Sequence, residues 1–148
     1  MRATCLTDKY NGRVCVLPTE ENKEVKFDNL IVLGGWYSIC EELVGYSITV
    51  DQEYAIYGMM HYDGLLHYLV QDDDALPVFV PHGLMKVCDN TIPFDWSMNV
   101  FELENGTLSI IGYNELVISY KAMCELIEQK GIAVRQFLEY KVQAEKWQ

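Results

Sequence analysis

The stretch YAIYGMMHYDGLLHYLVQDDDALPVFVP, residues 54–81, carries the clearest secondary-structure signals of the chain. Two runs rich in tyrosine and aliphatic residues flank the dipeptide Asp63-Gly64, which is typical of a two-residue β-hairpin turn. We therefore predict a strand over Glu53–Tyr62 and a returning strand over Leu65–Val70. The segment QDDDALP then connects to a short strand, Val78–Val80. A proline on each side of that strand restricts it to a sheet edge or a strand end, because proline cannot donate to the ladder.

The same alternation of apolar runs and turn residues predicts further strands on both sides of this stretch. A glycine pair, Gly34-Gly35, is expected to break the run Val25–Leu33, and Trp36–Val44 fits a short helix or a strand equally well. Asn105-Gly106 is a second hairpin signal. The other predicted strands are Arg13–Leu17, Leu84–Cys88, Ser97–Leu103 and Leu108–Tyr113.

The end of the chain changes to a helical period. An apolar stripe predicts a helix over Ser119–Lys130, with Gly131 as its C-terminal signal. A second helix is predicted over Ala133–Lys146, with one apolar face formed by Val134, Phe137, Leu138 and Val142. The fold class is therefore α+β: a small, strongly bent antiparallel sheet or SH3-like barrel followed by two C-terminal helices. We expect one domain over 1–148, with a β-rich body at about 12–113 and a helical tail at about 115–146.

Charge is the most informative bulk property. The chain of 148 residues has a net charge of −11. Between Phe27 and Tyr120, Lys86 is the single basic residue against fourteen acidic ones, a net of −13. This field repels nucleic acid and anionic membranes and favours encounter with a cationic protein. The ordinary alternative is that the acids serve solubility.

The compartment follows from the termini and the cysteines. The N-terminus MRATCLTDKYNGR lacks an apolar signal region, and no apolar run approaches the roughly 20 residues of a membrane-spanning helix. Five cysteines are scattered without CxxC pairs, so reduced thiols in a cytoplasmic protein are expected rather than disulfides or zinc. No cofactor motif is present either.

Three quoted segments carry a resemblance: YAIYGMMHYDGLLHYLVQDDDALPVFVP, then LMKV-CDNTIPFDW, and finally IIGYNEL ahead of the helices. From Glu53 to Tyr113 the chain resembles a loosely defined group of small bacterial proteins with an SH3-like barrel body. The group includes uncharacterised proteins and immunity proteins encoded beside secreted toxins. The pattern is mostly structural, so the resemblance implies a fold far more than a function, and it carries no catalytic residue.

Asp72, Asp73 and Asp74 are the first candidate site. Adjacent aspartates do not provide the spaced oxygens of a calcium loop, so a metal site is disfavoured. A solvated turn and a recognition loop for a cationic partner both stay open. In the second case Glu41 and Glu42, or Asp51 and Glu53, would add to the acidic surface.

The histidines are the second candidate site. His61 and His67 flank the Asp63-Gly64 turn, and we expect them to be surface or half-buried hairpin residues. The alternative is that they are cross-strand neighbours on one face, where they would bind a metal or act as acid and base. His82 lies in a loop. No nucleophile with a family signature accompanies them, and we expect no enzyme.

These observations predict an acidic binding protein, most simply an immunity protein that neutralises a cationic toxin, a nuclease above all, by covering its active site. The expected contacts are the three aspartates at 72–74 with nearby acids and tyrosines, namely Glu41, Glu42, Tyr54, Tyr57, Tyr62 and Tyr68. Two alternatives remain: a phage-type inhibitor that mimics nucleic acid, and a structural homo-oligomer through the C-terminal helices.

Overall fold

The computed structural model describes residues 1–10, 45–103 and 106–147 in full, and the backbone alone at 13–16, 33–39 and 44. Twelve strands and three α-helices lie in these ranges. The strands are β1 Arg2–Cys5, β2 Lys9–Tyr10, β3 Arg13–Val16, β4 Leu33–Ile39, β5 Val44–Gly45, β6 Glu53–Ala55, β7 Gly58–Tyr62, β8 Leu65–Gln71, β9 Pro77–Pro81, β10 Met85–Asp89, β11 Ser97–Leu103 and β12 Gly106–Gly112. A short 3-10 helix covers His82–Leu84, and the helices are α1 Asn114–Val117, α2 Tyr120–Ile127 and α3 Gly131–Glu145.

Two antiparallel sheets organise the chain. A five-stranded sheet has the order β11-β12-β7-β8-β9, and a three-stranded sheet has the order β10-β1-β6. The pairs β2–β5 and β3–β4 are separate. The predicted α+β class is confirmed. Within the described ranges the sheets do not close on one another, and an SH3-like barrel is not confirmed.

The predicted strand Glu53–Tyr62 is wrong as a single element. β6 pairs with β1 in the three-stranded sheet, whereas β7 pairs with β8 and β12 in the five-stranded sheet. The chain changes sheets at Ile56 and Tyr57. The reason is packing: the Tyr57 ring meets Phe137 of α3 edge to face at 5.2 Å. Strand propensity alone could not reveal a contact with a residue 80 positions away.

The predicted hairpin is confirmed in detail. Tyr62 pairs with Leu65 around Asp63 and Gly64, whose φ angles of 51° and 76° are those of a type I′ turn. The returning strand β8 is buried on both faces from His67 to Val70. β9 lies at the edge of the five-stranded sheet, as its flanking prolines predicted.

Other predictions near the glycines need correction. β4 runs through Gly34 and Gly35, so the glycine pair does not break the strand. The segment 25–32 lies outside the described residues, as do the turn residues 104 and 105. β12 already begins at Gly106, which pairs with Leu103. The first strand, β1, was not predicted, although it is the central strand of its sheet.

The two predicted helices are present as α2 and α3, with α1 in addition. Ser119 caps α2 by accepting a hydrogen bond from the Ala122 amide at 3.0 Å. The left-handed residue after α2 is Gln129, at a φ of 56°, and Gly131 instead begins α3. None of the helices over the described ranges is long and apolar enough to cross a membrane.

The buried face of α3 differs from the predicted one. Ala133, Phe137 and Tyr140 are buried, whereas Leu138 and Val142 are exposed. Aromatic packing determines which face of α3 is buried, since the Tyr140 ring stacks on the Tyr113 ring with their centroids 4.5 Å apart. Its hydroxyl also accepts a hydrogen bond from the Trp96 indole at 2.9 Å.

Two glycines set the distance between α1 and the sheet. Gly58 of β7 pairs with Gly112 of β12. A Cβ atom at Gly58 would lie 2.7 Å from Leu116 Cδ2, and one at Gly112 would lie 2.8 Å from the same atom. The Leu116 side chain, which is 1% exposed, therefore occupies the space that two missing side chains leave.

Candidate functional site

The connection between β8 and β9 is a closed turn over residues 72–76, here called the aspartate turn. Asp72 Oδ1 accepts hydrogen bonds from the amides of Asp74 and Leu76, both at 2.9 Å. The backbone N–H of Asp72 donates to the Leu76 carbonyl, and Ala75 adopts a left-handed φ of 65°. Short carboxylate side chains favour such turns because they replace backbone acceptors locally. Asp72 therefore shapes the turn.

Asp73 ties the aspartate turn to the loop that precedes β6. Its Oδ1 accepts from the Tyr54 hydroxyl and its Oδ2 from the Thr49 hydroxyl, each at 2.7 Å. Its backbone N–H donates to the Ser47 carbonyl at 2.7 Å. Because Tyr54 belongs to β6 and the turn follows β8, this carboxylate joins the two sheets.

Asp74 has a different environment. It is exposed, and within the described residues no hydrogen bond or ion pair involves its carboxylate. The three adjacent aspartates thus divide into one that forms the turn, one that anchors it and one that is presented to solvent.

An acidic cleft of about 310 Å³ opens beside this turn. It lies between the end of β8, the strands β1 and β6, and the last turns of α3. The charged side chains that line it are four carboxylates and two cations, a net of −2: Glu53, Asp72, Asp73, Glu145, Arg2 and Lys141.

Both cations of the acidic cleft are paired. Arg2 Nε binds Glu53 Oε1 on one wall. Lys141 Nζ binds Glu145 Oε1 on the other. Asp72 lines the same cleft, and it has no basic partner in the described part of the chain. Burial raises the pKa of its carboxyl group, and the two backbone donors offset part of that rise.

Tyr57 also lines the acidic cleft. Its side chain is only 7% exposed, and its ring packs edge to face on Phe137 and on Tyr140. Burial raises the pKa of its hydroxyl to about 12; the Glu145 charge adds to the rise and the Arg2 charge opposes it. Across the described ranges this hydroxyl has no hydrogen-bond partner.

The other predicted contacts are placed differently. Tyr62 and Tyr68 are buried, at 5% and 7% exposed, and belong to the core of the sheet. Glu41 and Glu42 lie outside the described residues. Asp51, at a φ of 69°, is exposed in the loop that precedes β6. Its charge acts with those of Asp8 and Asp73 to raise the pKa of the Cys5 thiol, after the larger effect of burial.

The histidines do not form a pair. His61 pairs with Leu66 and His67 with Met60, which places the two imidazoles on opposite faces of the hairpin. His61 is exposed, whereas His67 is 6% exposed and its Nδ1 lacks a partner among the described residues. Burial lowers the pKa of His67 to about 4, with a smaller contribution from His82. A shared acid–base or metal role for His61 and His67 is therefore wrong.

Among the described residues, no group of three histidine, cysteine or acidic side chains is placed to hold a metal ion. Cys5 and Cys124 are buried free thiols, and Cys88 is exposed. Burial raises the pKa of Cys124 to about 12, so this thiol stays protonated at neutral pH.

Sequence reasoning missed three charged residues of the acidic cleft. Arg2, Lys141 and Glu145 come from the two ends of the chain, about 140 positions apart. No local pattern brings such residues together; the order of strands around β1 and the packing of α3 do so. The available signal was weaker: Lys141 and Glu145 are four residues apart on a predicted helix.

No family model, curated protein sequence or solved structure matches this chain.

Proposed function

We propose that the chain is an acidic binding protein of the immunity type, which neutralises a cationic toxin of nuclease type by covering its active site. One observation carries the proposal. A rigid, exposed turn presents Asp74 without an internal partner, directly beside a cleft with an excess of carboxylates. A turn that served solubility alone would not need the two internal anchors of Asp72 and Asp73.

Charge supplies the physical reason. A nuclease active site is lined with cations that hold phosphate, so an opposing carboxylate surface speeds encounter and then excludes the substrate. The body of this chain from Phe27 to Tyr120 contains Lys86 as its one cation against fourteen acids. The sequence resemblance to SH3-like-barrel immunity proteins and a cytoplasmic location belong to the same proposal.

Tyrosines have a supporting role in this proposal. Tyr54 is 7% exposed, and its hydroxyl holds Asp73 rather than facing a partner. Tyr62 and Tyr68 pack in the core. The direct contacts that we propose are therefore carboxylates of the aspartate turn and its neighbours, with Asp51 and Glu53 beside them.

The proposal is tested by kinetics with the purified product of the neighbouring gene. Stopped-flow association should be fast at low salt and should slow steeply as salt is added. Replacing Asp74→Asn removes one exposed charge without removing an internal hydrogen bond, and we expect it to slow association about two- to threefold at low salt.

Asp63→Asn is the control for a general charge effect. It removes one negative charge at the other end of β8, roughly 20 Å away if each strand residue advances about 3.3 Å. The resulting Asn-Gly dipeptide still favours the type I′ turn. Equal slowing by both variants would indicate a general charge effect and not a docking turn. An absence of salt-sensitive binding to the neighbouring product would overturn the function itself.

A further inference from the structure

The acidic cleft contains a hydroxyl that the fold does not use. Tyr57 lines the cleft, and its side chain is only 7% exposed. Its hydroxyl has no hydrogen-bond partner within the described ranges. The Tyr57 hydroxyl oxygen is not an enclosed atom, unlike His67 Nδ1, so it is open to the acidic cleft, where a bound group can donate a hydrogen bond to it. Its position is fixed by the rings of Phe137 and Tyr140, so the group cannot turn elsewhere.

The unused groups around Tyr57 are mainly acceptors. Both hydrogen bonds of Asp72 go to Oδ1, which leaves Oδ2 free to accept. Gln71 uses its amide nitrogen on the Ala75 carbonyl at 3.2 Å, so its side-chain oxygen is also available. The carboxylates of Glu53 and Glu145 retain further lone pairs beyond their ion pairs.

Such a set is complementary to a cation with several donors. An anion would meet four carboxylates and two cations that are already paired. A guanidinium group carries five N–H donors in a fixed plane, whereas an ammonium group carries three on one nitrogen. The volume of about 310 Å³ is at the small end of ligand sites and suits one side chain rather than a folded element.

We propose that the acidic cleft receives the guanidinium group of an arginine side chain from the cationic partner. This inference rests on the proposed function and makes it more specific. Arginine would donate to Asp72 Oδ2, to the Tyr57 hydroxyl oxygen and to the carboxylates of the two walls. The aspartate turn would then guide encounter, and the acidic cleft would hold the anchor residue.

The experiment is an NMR titration of the isolated protein with acetyl-arginine-amide. We expect saturable shifts confined to the residues around the acidic cleft, with a Kd on the order of millimolar, since one side chain supplies little binding energy by itself. Acetyl-citrulline-amide has the same shape without the charge and should not bind. Inorganic phosphate should not bind at the cleft; saturable phosphate shifts there would overturn the proposal.

Variants locate the site. Tyr57→Phe keeps the ring that packs on Phe137 and should weaken binding of acetyl-arginine-amide about five- to tenfold. Glu145→Gln, at the exposed rim, should weaken it as well. Tyr113→Phe is the matched control, because Tyr113 is buried against the same helix but does not line the cleft. Unchanged affinity in Tyr57→Phe would overturn the assignment.

A further experiment distinguishes an arginine side chain of a protein from a free small molecule as the source of the guanidinium group. A blocked peptide with one central arginine should bind at least as tightly as acetyl-arginine-amide, and agmatine should bind no more tightly than either. Micromolar binding of agmatine would instead identify a site for a free small molecule and overturn the partner assignment. Absence of all guanidinium binding together with intact, salt-sensitive partner association would refute the anchor while leaving the proposed function standing.

Discussion

The two ends of β8 are closed by turns of different kinds. At one end, Asp63 and Gly64 form a type I′ turn through their backbone angles. At the other, the aspartate turn depends on side-chain acceptors: Asp72 accepts from two amides of its own turn, and Asp73 accepts from the hydroxyls of Thr49, in the loop before β6, and of Tyr54, in β6. The first turn reverses the chain, and the second also joins two sheets. Similar acidic turn residues can therefore serve either local geometry or tertiary structure.

The strand between these turns contains a buried histidine that should make the stability of the fold strongly dependent on pH. His67 has a pKa of about 4 in the folded protein against an ordinary value of 6.5. The folded state keeps it neutral while the unfolded state takes up a proton, so its contribution is complete above pH 6.5 and falls as the pH decreases toward 4. The loss should reach about 3 kcal/mol.

Urea unfolding at several pH values measures this effect. The variant His67→Leu should lose most of the slope between pH 6.5 and 4, whereas His61→Gln, at an exposed position on the opposite face, should keep it. If His67→Leu and the natural chain showed the same pH dependence, burial of this imidazole would not control stability, and the middle of β8 would be more hydrated than its position implies.

Asp73 tests the tertiary role of the aspartate turn. Asp73→Asn keeps the shape but halves the acceptors that Tyr54 and Thr49 use, and we expect a loss of about 1–2 kcal/mol in unfolding free energy. Asp74→Asn, one residue further, should change stability by less than about 0.5 kcal/mol.

A double-mutant cycle with Tyr54→Phe sharpens the assignment. If Asp73 acts through the Tyr54 hydroxyl, the two losses should be clearly less than additive, since each variant removes the same hydrogen bond. Full additivity would contradict a link between the sheets at this carboxylate and would make the two ends of β8 alike.

The smallest effect concerns backbone conformation. Ala75 has a φ of 65°, a region that disfavours residues with a Cβ atom. Ala75→Gly should therefore raise the unfolding free energy by about 0.5–1 kcal/mol, offset in part by the entropy of the unfolded glycine. Gln129→Gly, at a φ of 56° after α2, is the matched test at a helix end. A loss of stability at Ala75 would show that the side-chain acceptors, not φ, limit this turn.

The contrast between the two turns also explains what could be predicted from the sequence. Asp63-Gly64 was predictable because the dipeptide itself favours the required angles. The edge position of β9 followed from Pro77 and Pro81, and α2 and α3 followed from their apolar period. Each of these signals is contained within a few neighbouring residues.

The missed features depend on residues far apart in the chain. Nothing in RATC indicates that β1 is the central strand of a sheet, since the residues that pair with it come 49 or more positions later. The change of sheets at Ile56 and Tyr57 is decided by packing on α3. For the candidate site, Asp72 to Asp74 were found, but the cleft beside them needed Arg2 and Glu145, which only the fold brings near.

Gly58, Gly112 and Leu116 have a consequence for the order of assembly. The space that the Leu116 side chain occupies is bordered by two glycines, which are 54 positions apart and become neighbours when β12 pairs with β7. Before that pairing there is no surface for α1 to occupy. We therefore expect the closure of this long loop between strands to precede the docking of α1, although α1 follows β12 immediately in the chain. On this expectation, a helix that directly follows its neighbouring strand in the sequence docks late in folding.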